Sequence, residues 1–219
     1  MSSPTLLPHE QVVIGDAPTS AFICLHGLGA SGHDFVPIAQ QLQWRSNVRY
    51  IFPHAPVRAV TVNQGMRMSA WYDIKAMSIE REVDVEQLVL SAQQVQKFIE
   101  REIEQGIDSR HIFVAGFSQG GAVAYHAALD FGQPLGGLIC MSTYFATAKQ
   151  IEFNSANQSI PVLIQHGTQD QIVPFTLAGR AQQQLQAQGY KPKLLNYATG
   201  HSVSGDQLTD LDLWLTSQS

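Results

Sequence analysis

Two spacings of apolar residues alternate along this 219-residue chain. Short runs at 21–25 and 111–115 are apolar at most positions and 162–167 begins with three apolar residues, which is typical of strands buried on both faces of a parallel sheet. Between 84 and 104 the apolar residues instead return every three or four positions, which predicts a long surface helix that ends near Gly106. Strands alternating with helices predict an α/β fold, with a mostly parallel central sheet and helices on both faces.

The remaining elements follow from the same criteria. Further strands are predicted at 12–14 (an edge strand), 48–53, 138–142 and 193–197, and helical segments at 35–42, 121–129, 175–188 and 206–215. Residues 54–77 show neither period, although they carry several aromatic and methionine residues. Because long irregular loops in compact domains usually serve function, we interpret this segment as a rim around a site. A packed surface excursion is the alternative.

Composition limits the classes of protein that remain. With 44% apolar and 14% charged residues, the chain suits one domain spanning 1–219. A net charge of −5 without a Lys/Arg cluster argues against nucleic acid as a partner. We find no signal peptide and no apolar stretch long enough to span a bilayer, and therefore expect a cytoplasmic protein. Cys24 and Cys140 lie in strand-like runs, where buried free thiols are expected.

Residues 116–120, Gly-Phe-Ser-Gln-Gly, lie between a predicted strand and a predicted helix. In this context G-x-S-x-G indicates a nucleophile elbow, a sharp turn that projects the Ser118 hydroxyl clear of both elements. The two glycines fit because strand and helix backbones nearly touch there. A glycine-rich strand-to-helix turn without catalytic function is the alternative.

A nucleophilic serine needs a histidine base and an acid that orients it, here in the chain order serine, acid, histidine. Of the histidines after Ser118, His126 lies within a helix and His166 ends a strand, where it could bond the local turn. His201 follows the last strand in a loop, and it is our candidate base. Asp170 is the candidate acid, because it follows a buried strand and precedes His201; an Asx-turn is its alternative role.

The chain resembles the carboxylesterase/acyl-protein thioesterase family of α/β-hydrolases over nearly its whole length. Six ordered blocks carry the resemblance: Leu-His-Gly-Leu-Gly at 25–29, Pro-His-Ala-Pro-Val-Arg at 53–58 with Val60 and Thr61, Ala-Trp-Tyr-Asp-Ile at 70–74, Gly-Phe-Ser-Gln-Gly-Gly at 116–121, His166-Gly167 with Asp170 and Val173-Pro174, and Gly-His-Ser-Val at 200–203. The resemblance implies an α/β-hydrolase fold without a lid domain and a triad of Ser118, Asp170 and His201.

The same resemblance implies further site residues. Backbone N–H groups of Leu28 and Gln119 would form an oxyanion hole, and Leu28, Met77, Tyr144 and Ile172 would line an acyl groove. Two departures from the family pattern lie nearby: Ala30 stands where many members carry aspartate, and Ser-Thr-Tyr-Phe-Ala at 142–146 replaces the more usual Ser-Gly-Tyr-Leu-Pro.

The predicted function is hydrolysis of carboxylic esters or acyl thioesters through an acyl-serine intermediate. The substrate would be a small ester or thioester, or an acylated protein. A lysophospholipase-type lipid esterase and a non-catalytic binding module remain as alternatives. No cofactor is predicted, and no metal, because His26 and His33 lack carboxylates or cysteines at ligand spacing. The oligomeric state stays open, with a homodimer among the alternatives.

Overall fold

A seven-stranded sheet forms the centre of the structure, a computed structural model that describes residues 6–76 and 81–218. Every neighbouring pair of strands is parallel except the first, where the edge strand runs antiparallel to its neighbour. In spatial order the strands are β1 (His9–Ile14), β3 (Val48–Pro53), β2 (Ser20–Leu25), β8 (Ile112–Phe117), β9 (Gly137–Met141), β10 (Val162–Gly167) and β11 (Lys193–Tyr197).

Five α-helices in the described part of the chain cover the sheet, and they pack against apolar residues on both of its faces. They are α1 (Ile38–Gln41), α2 (Val85–Glu104), α3 (Gln119–Leu129), α4 (Phe175–Ala187) and α5 (Gly205–Ser217). Helices α2, α3 and α4 contribute to the hydrophobic cluster on one face, and α1 and α5 to that on the other. In β8, Ile112 and Val114 belong to the first cluster and Phe113 and Ala115 to the second. This two-faced burial confirms the predicted α/β fold class.

The segment that follows β3 differs from its prediction. It contains two hairpins, β4 (Val57–Val60) with β5 (Met66–Ser69), and β6 (Ile74–Ala76) with β7 (Glu82–Val83). The expectation that it lacks strands was wrong, because strands of two to four residues are too short to show a period. The Asp73 carboxylate accepts hydrogen bonds from the Thr61 N–H at 2.7 Å and its hydroxyl at 2.6 Å, which joins the two hairpins.

Both cysteines are buried free thiols, as predicted, on strands β2 and β9. Burial raises the pKa of each thiol well above its ordinary value, so neither is a thiolate near neutral pH. Among the described helices none is both long and apolar enough to cross a membrane.

The junction of β8 and α3 leaves no space for side chains. A Cβ on Gly116 would lie 2.4 Å from the carbonyl oxygen of Gly120, and one on Gly120 would lie 2.5 Å from the carbonyl oxygen of His26. Strand β8, helix α3 and the end of β2 therefore touch through bare backbone. This contact sets the position of Ser118 relative to the loop that follows β2.

Replacement of Gly120 by alanine should destabilise the fold, because the new methyl group must displace the end of β2. We expect the free energy of unfolding to fall by about 1–3 kcal/mol, as for other overpacked sites, measured by urea denaturation. Gly179→Ala is the matched control: it lies within α4 and has open space around the added Cβ. That substitution should stabilise by roughly 0.5–1 kcal/mol. Equal effects of the two substitutions would contradict the proposed close contact.

Candidate active site

Ser118 lies between β8 and α3 in a backbone conformation that is rare for a residue with a side chain, with φ +53° and ψ −118°. Its N–H donates to the Met141 carbonyl at 2.9 Å, and its own carbonyl accepts from the Gly121 N–H at 3.0 Å and from the Thr143 hydroxyl at 2.6 Å. A backbone conformation of this kind costs about 1–3 kcal/mol, and these hydrogen bonds offset that cost. Their effect is to present the Ser118 hydroxyl beyond the carboxyl end of the sheet.

The structure brings Ser118, His201 and Asp170 together from three separate loops. His201 Nε2 lies 3.0 Å from the Ser118 Oγ, and His201 Nδ1 lies 2.7 Å from an Asp170 carboxylate oxygen, Oδ2. The Asp170 side chain is fully buried, and that of His201 is 18% exposed. With its proton on Nδ1, a neutral imidazole donates to Asp170 and leaves Nε2 free to accept the serine proton.

The second Asp170 oxygen is also occupied. Oδ1 accepts the N–H groups of Ile172 at 2.9 Å and Val173 at 2.8 Å. The two roles weighed for Asp170 from the sequence, Asx-turn residue and partner of the base, are therefore both present in its geometry. One oxygen shapes the loop and the other faces the imidazole.

His166 and His126 lie apart from Ser118 and bond locally. The His166 Nε2–H donates to the Val173 carbonyl at 2.7 Å, the turn contact expected from its position. Burial lowers the pKa of His166, which keeps the ring neutral beside Asp170. His126 is buried with Nδ1 3.1 Å from the Thr147 hydroxyl. Both side chains thus serve packing and loop geometry.

Leu28 and Gln119, the two residues whose backbone N–H groups were expected to form an oxyanion hole, line the same cavity as Ser118. Neighbouring N–H groups are used elsewhere: Gly29 donates to the Ser69 carbonyl at 2.8 Å and Ala30 to that of Gly27 at 3.3 Å. Among the described residues, neither Leu28 nor Gln119 has a protein acceptor for its N–H. Gln119 opens α3, where the helix dipole adds partial positive charge.

Sequence reasoning missed the role of the Gln119 side chain. Its Oε1 accepts the Trp71 N–H at 2.8 Å and its Nε2 donates to the Tyr72 carbonyl at 2.7 Å. The Trp71 indole N–H in turn donates to the His26 carbonyl at 2.8 Å. His26 Nε2 accepts the Ala55 N–H at 3.0 Å, and burial lowers the pKa of His26, so the ring stays neutral as that bond requires. The signal available in the sequence was the family resemblance itself. The blocks at 25–29, 53–58 and 70–74 match the family although none of them contains a triad residue.

A cavity of about 410 Å³ opens beside Ser118, with mostly apolar walls. Leu28, Tyr144 and Ile172, three of the four residues predicted for the acyl groove, line it, whereas Met77 lies outside the described residues. The other side chains that line it, none of which the sequence had suggested as groove residues, are Ala30, Phe35, Val62, Asn63, Ile74, Arg81 and Phe117.

Arg81 lines one side of this cavity and links two of its other lining residues, Tyr144 and Ile172. Its guanidinium carbon lies 4.9 Å from the centre of the Tyr144 ring, and one of its N–H groups donates to the Ile172 carbonyl. The Tyr144 and Tyr72 hydroxyls lie 2.8 Å apart, and burial raises the pKa of both phenols, which keeps them neutral. The wall is thus tied to the loop that follows Asp170.

Comparison with known proteins agrees with this geometry. The Phospholipase/Carboxylesterase family profile matches residues 7–218. Acyl-protein thioesterase 1 of Cryptococcus neoformans var. neoformans serotype D is 35% identical over 235 aligned positions, covering 97% of this chain and 98% of that protein. Acyl-protein thioesterase 1 of Gibberella zeae is 33% identical, with 91% of each chain covered.

Solved structures show the same similarity. Arabidopsis thaliana SOBER1 is 29% identical with a TM-score of 0.84, covering 91% of this chain and 98% of its own. Acyl-protein thioesterase 2 of Zea mays is 25% identical with a TM-score of 0.85, covering 97% and 99%. A match over nearly all of the sequence, joined to the α/β-hydrolase fold, places this chain in the Phospholipase/Carboxylesterase family.

Proposed function

We propose that this chain is a serine hydrolase that cleaves carboxylic esters and acyl thioesters through an acyl-serine intermediate. The contact of Ser118 with His201, and of His201 with Asp170, beside an apolar cavity is the observation that carries the proposal. Membership of a family that includes acyl-protein thioesterases supports thioesters, including acylated proteins, as substrates.

In the first half of the reaction, the Ser118 oxygen attacks the carbonyl carbon while His201 Nε2 takes the hydroxyl proton. Asp170 accepts the Nδ1–H and stabilises the imidazolium that forms. The carbonyl oxygen becomes an oxyanion, and the N–H groups of Leu28 and Gln119 are the donors available to it. His201 then protonates the leaving alcohol or thiol as the tetrahedral intermediate collapses to the acyl-serine.

In the second half, water replaces the leaving group. His201 takes a proton from the water, whose oxygen attacks the acyl-serine carbonyl, and the same two N–H groups face the new oxyanion. Return of the proton to Ser118 releases the carboxylic acid and restores the starting state. The acyl chain would lie in the cavity of about 410 Å³, whose Leu28, Tyr144 and Ile172 walls favour apolar acyl groups.

Ser118→Ala should abolish turnover, because among residues 6–76 and 81–218 the hydroxyl bonded to His201 Nε2 is that of Ser118. We expect kcat for a p-nitrophenyl ester to fall by at least about 10⁴-fold. A fluorophosphonate probe should label the wild-type protein at Ser118 and leave the variant unlabelled. Folded wild-type protein that takes up no probe would instead favour a non-catalytic binding module.

Asp170→Asn should lower kcat by about 10⁴-fold, because the amide NH₂ would face His201 Nδ1 and favour the wrong tautomer. Asp206→Asn is the matched control, because it removes the same charge from a residue that is exposed on the first turn of α5. Steady-state kinetics of both variants should show a loss only for Asp170. Similar kinetics for the two variants would contradict the assigned acid.

The rate should fall on acidification, because His201 must be neutral to accept the Ser118 proton. We expect kcat/KM, measured between about pH 8 and 5, to decline as the pH is lowered. Measurement with an ester and with an acyl thioester of the same chain length should give the same profile. A flat profile over that range would rule out His201 as the base.

A further inference from the structure

Three side chains that are distant in sequence meet at the edge of the sheet, away from Ser118. Glu10 lies on β1, His33 in the short 3-10 helical turn at Gly32–Phe35 after β2, and His54 directly after β3. One potential ligand atom from each residue, an imidazole nitrogen or a carboxylate oxygen, lies within 4.8 Å of the other two. We propose that Glu10, His33 and His54 form a Zn²⁺ site whose occupation inhibits the hydrolase.

The donor atoms already approach the geometry that zinc requires. Zn²⁺ binds imidazole nitrogens and carboxylate oxygens at about 2.0–2.2 Å in a tetrahedron, so its donor atoms lie roughly 3.3–3.6 Å apart. The Glu10 oxygen Oε1 is 3.4 Å from His33 Nδ1 and 3.2 Å from His54 Nε2. The His33 side chain is 68% exposed, which allows it to adjust and leaves room for water as a fourth ligand.

The ligand set also selects the kind of ion. Two imidazoles with one carboxylate suit zinc and neighbouring transition metals, whereas Mg²⁺ and Ca²⁺ prefer oxygen ligands throughout. The sequence had argued against a metal because no carboxylate or cysteine accompanies His26 and His33 at ligand spacing. In the fold His26 is committed to the Ala55 N–H, and the pairing of β1 with β3 brings Glu10 and His54 to His33 instead.

Zinc would compete with a hydrogen bond that anchors the loop after β2. The Gly32 N–H donates to His54 Nδ1 at 3.1 Å, so a neutral His54 carries its proton on Nε2, facing Glu10. A metal on Nε2 requires the lone pair there, which moves the proton to Nδ1. Two N–H groups would then face each other, and the bond to Gly32 would be lost.

Loss of this hydrogen bond should disturb the active site, because Gly32 lies close to residues that line the cavity beside Ser118. Gly32 is seated tightly, since a Cβ there would lie 2.2 Å from the Phe52 carbonyl oxygen. It lies four residues after Leu28, and Phe35, in the same helical turn, lines the cavity beside Ser118. A displaced Gly32 therefore shifts the Leu28 N–H from where the oxyanion forms, and hydrolysis slows.

The binding experiment is calorimetric titration of EDTA-treated full-length protein with ZnCl₂. We expect one ion per chain, bound at least about 10-fold more weakly by Glu10→Gln and by His33→Asn. His111→Asn, which removes a histidine far from the cluster in sequence and next to β8, should bind as the wild type does. A wild type that binds no zinc, or a His33→Asn variant that binds it equally well, would overturn the site.

The second readout is hydrolysis of a p-nitrophenyl ester during the same titration. His33 is exposed and makes no contact with Ser118 or His201, so His33→Asn should keep the basal rate and lose the inhibition seen in the wild type. Zinc that binds at the cluster without slowing the wild type would overturn the link to the loop. This rate assay rests on the proposed function, whereas the calorimetry does not, so the failure of either proposal can be recognised separately.

Discussion

The bare-backbone contact between β8, α3 and the end of β2 is the constraint on which the site depends. Because Gly116 and Gly120 carry no side chains, α3 can begin directly against the strand that precedes it and beside the His26 carbonyl. Ser118 then has to turn through a left-handed conformation, and that turn aims its hydroxyl away from the sheet. The same contact brings the first N–H of α3 and the loop after β2 to one side of that hydroxyl.

Around this contact a buried polar network joins segments that are far apart in sequence. The Gln119 side chain binds the backbone of Trp71 and Tyr72, and the Trp71 indole binds the His26 carbonyl. Buried groups of this kind are costly when one partner is removed, because the other is left without a hydrogen bond. The network therefore holds the loop after β2, the hairpin segment and the start of α3 in fixed relation.

The sequence predicted the sheet and the long helix α2 through their apolar patterns. It predicted the meeting of Ser118, Asp170 and His201 through their chain order and their positions in loops. The hairpins between β3 and α2 could not be predicted, since strands this short leave no period and the bonds from Thr61 to Asp73 that join them link residues twelve positions apart. Contacts such as those of Arg81 with Tyr144, or Glu10 with His54, depend on which loops the folded chain brings together, and spacing along the chain does not encode them.

The arginine wall of the cavity has a consequence for attempts to engineer substrate range. Arg81 donates to the Ile172 carbonyl, and the Ile172 N–H in turn donates to the carboxylate of Asp170. Shortening Arg81 to accommodate bulkier acyl groups would enlarge the cavity. It would also remove the hydrogen bond to Ile172, whose own N–H helps to position the Asp170 carboxylate. Substrate selectivity and catalytic competence are therefore coupled along this wall, and Tyr144, whose ring packs against the Arg81 guanidinium, belongs to the same coupled unit.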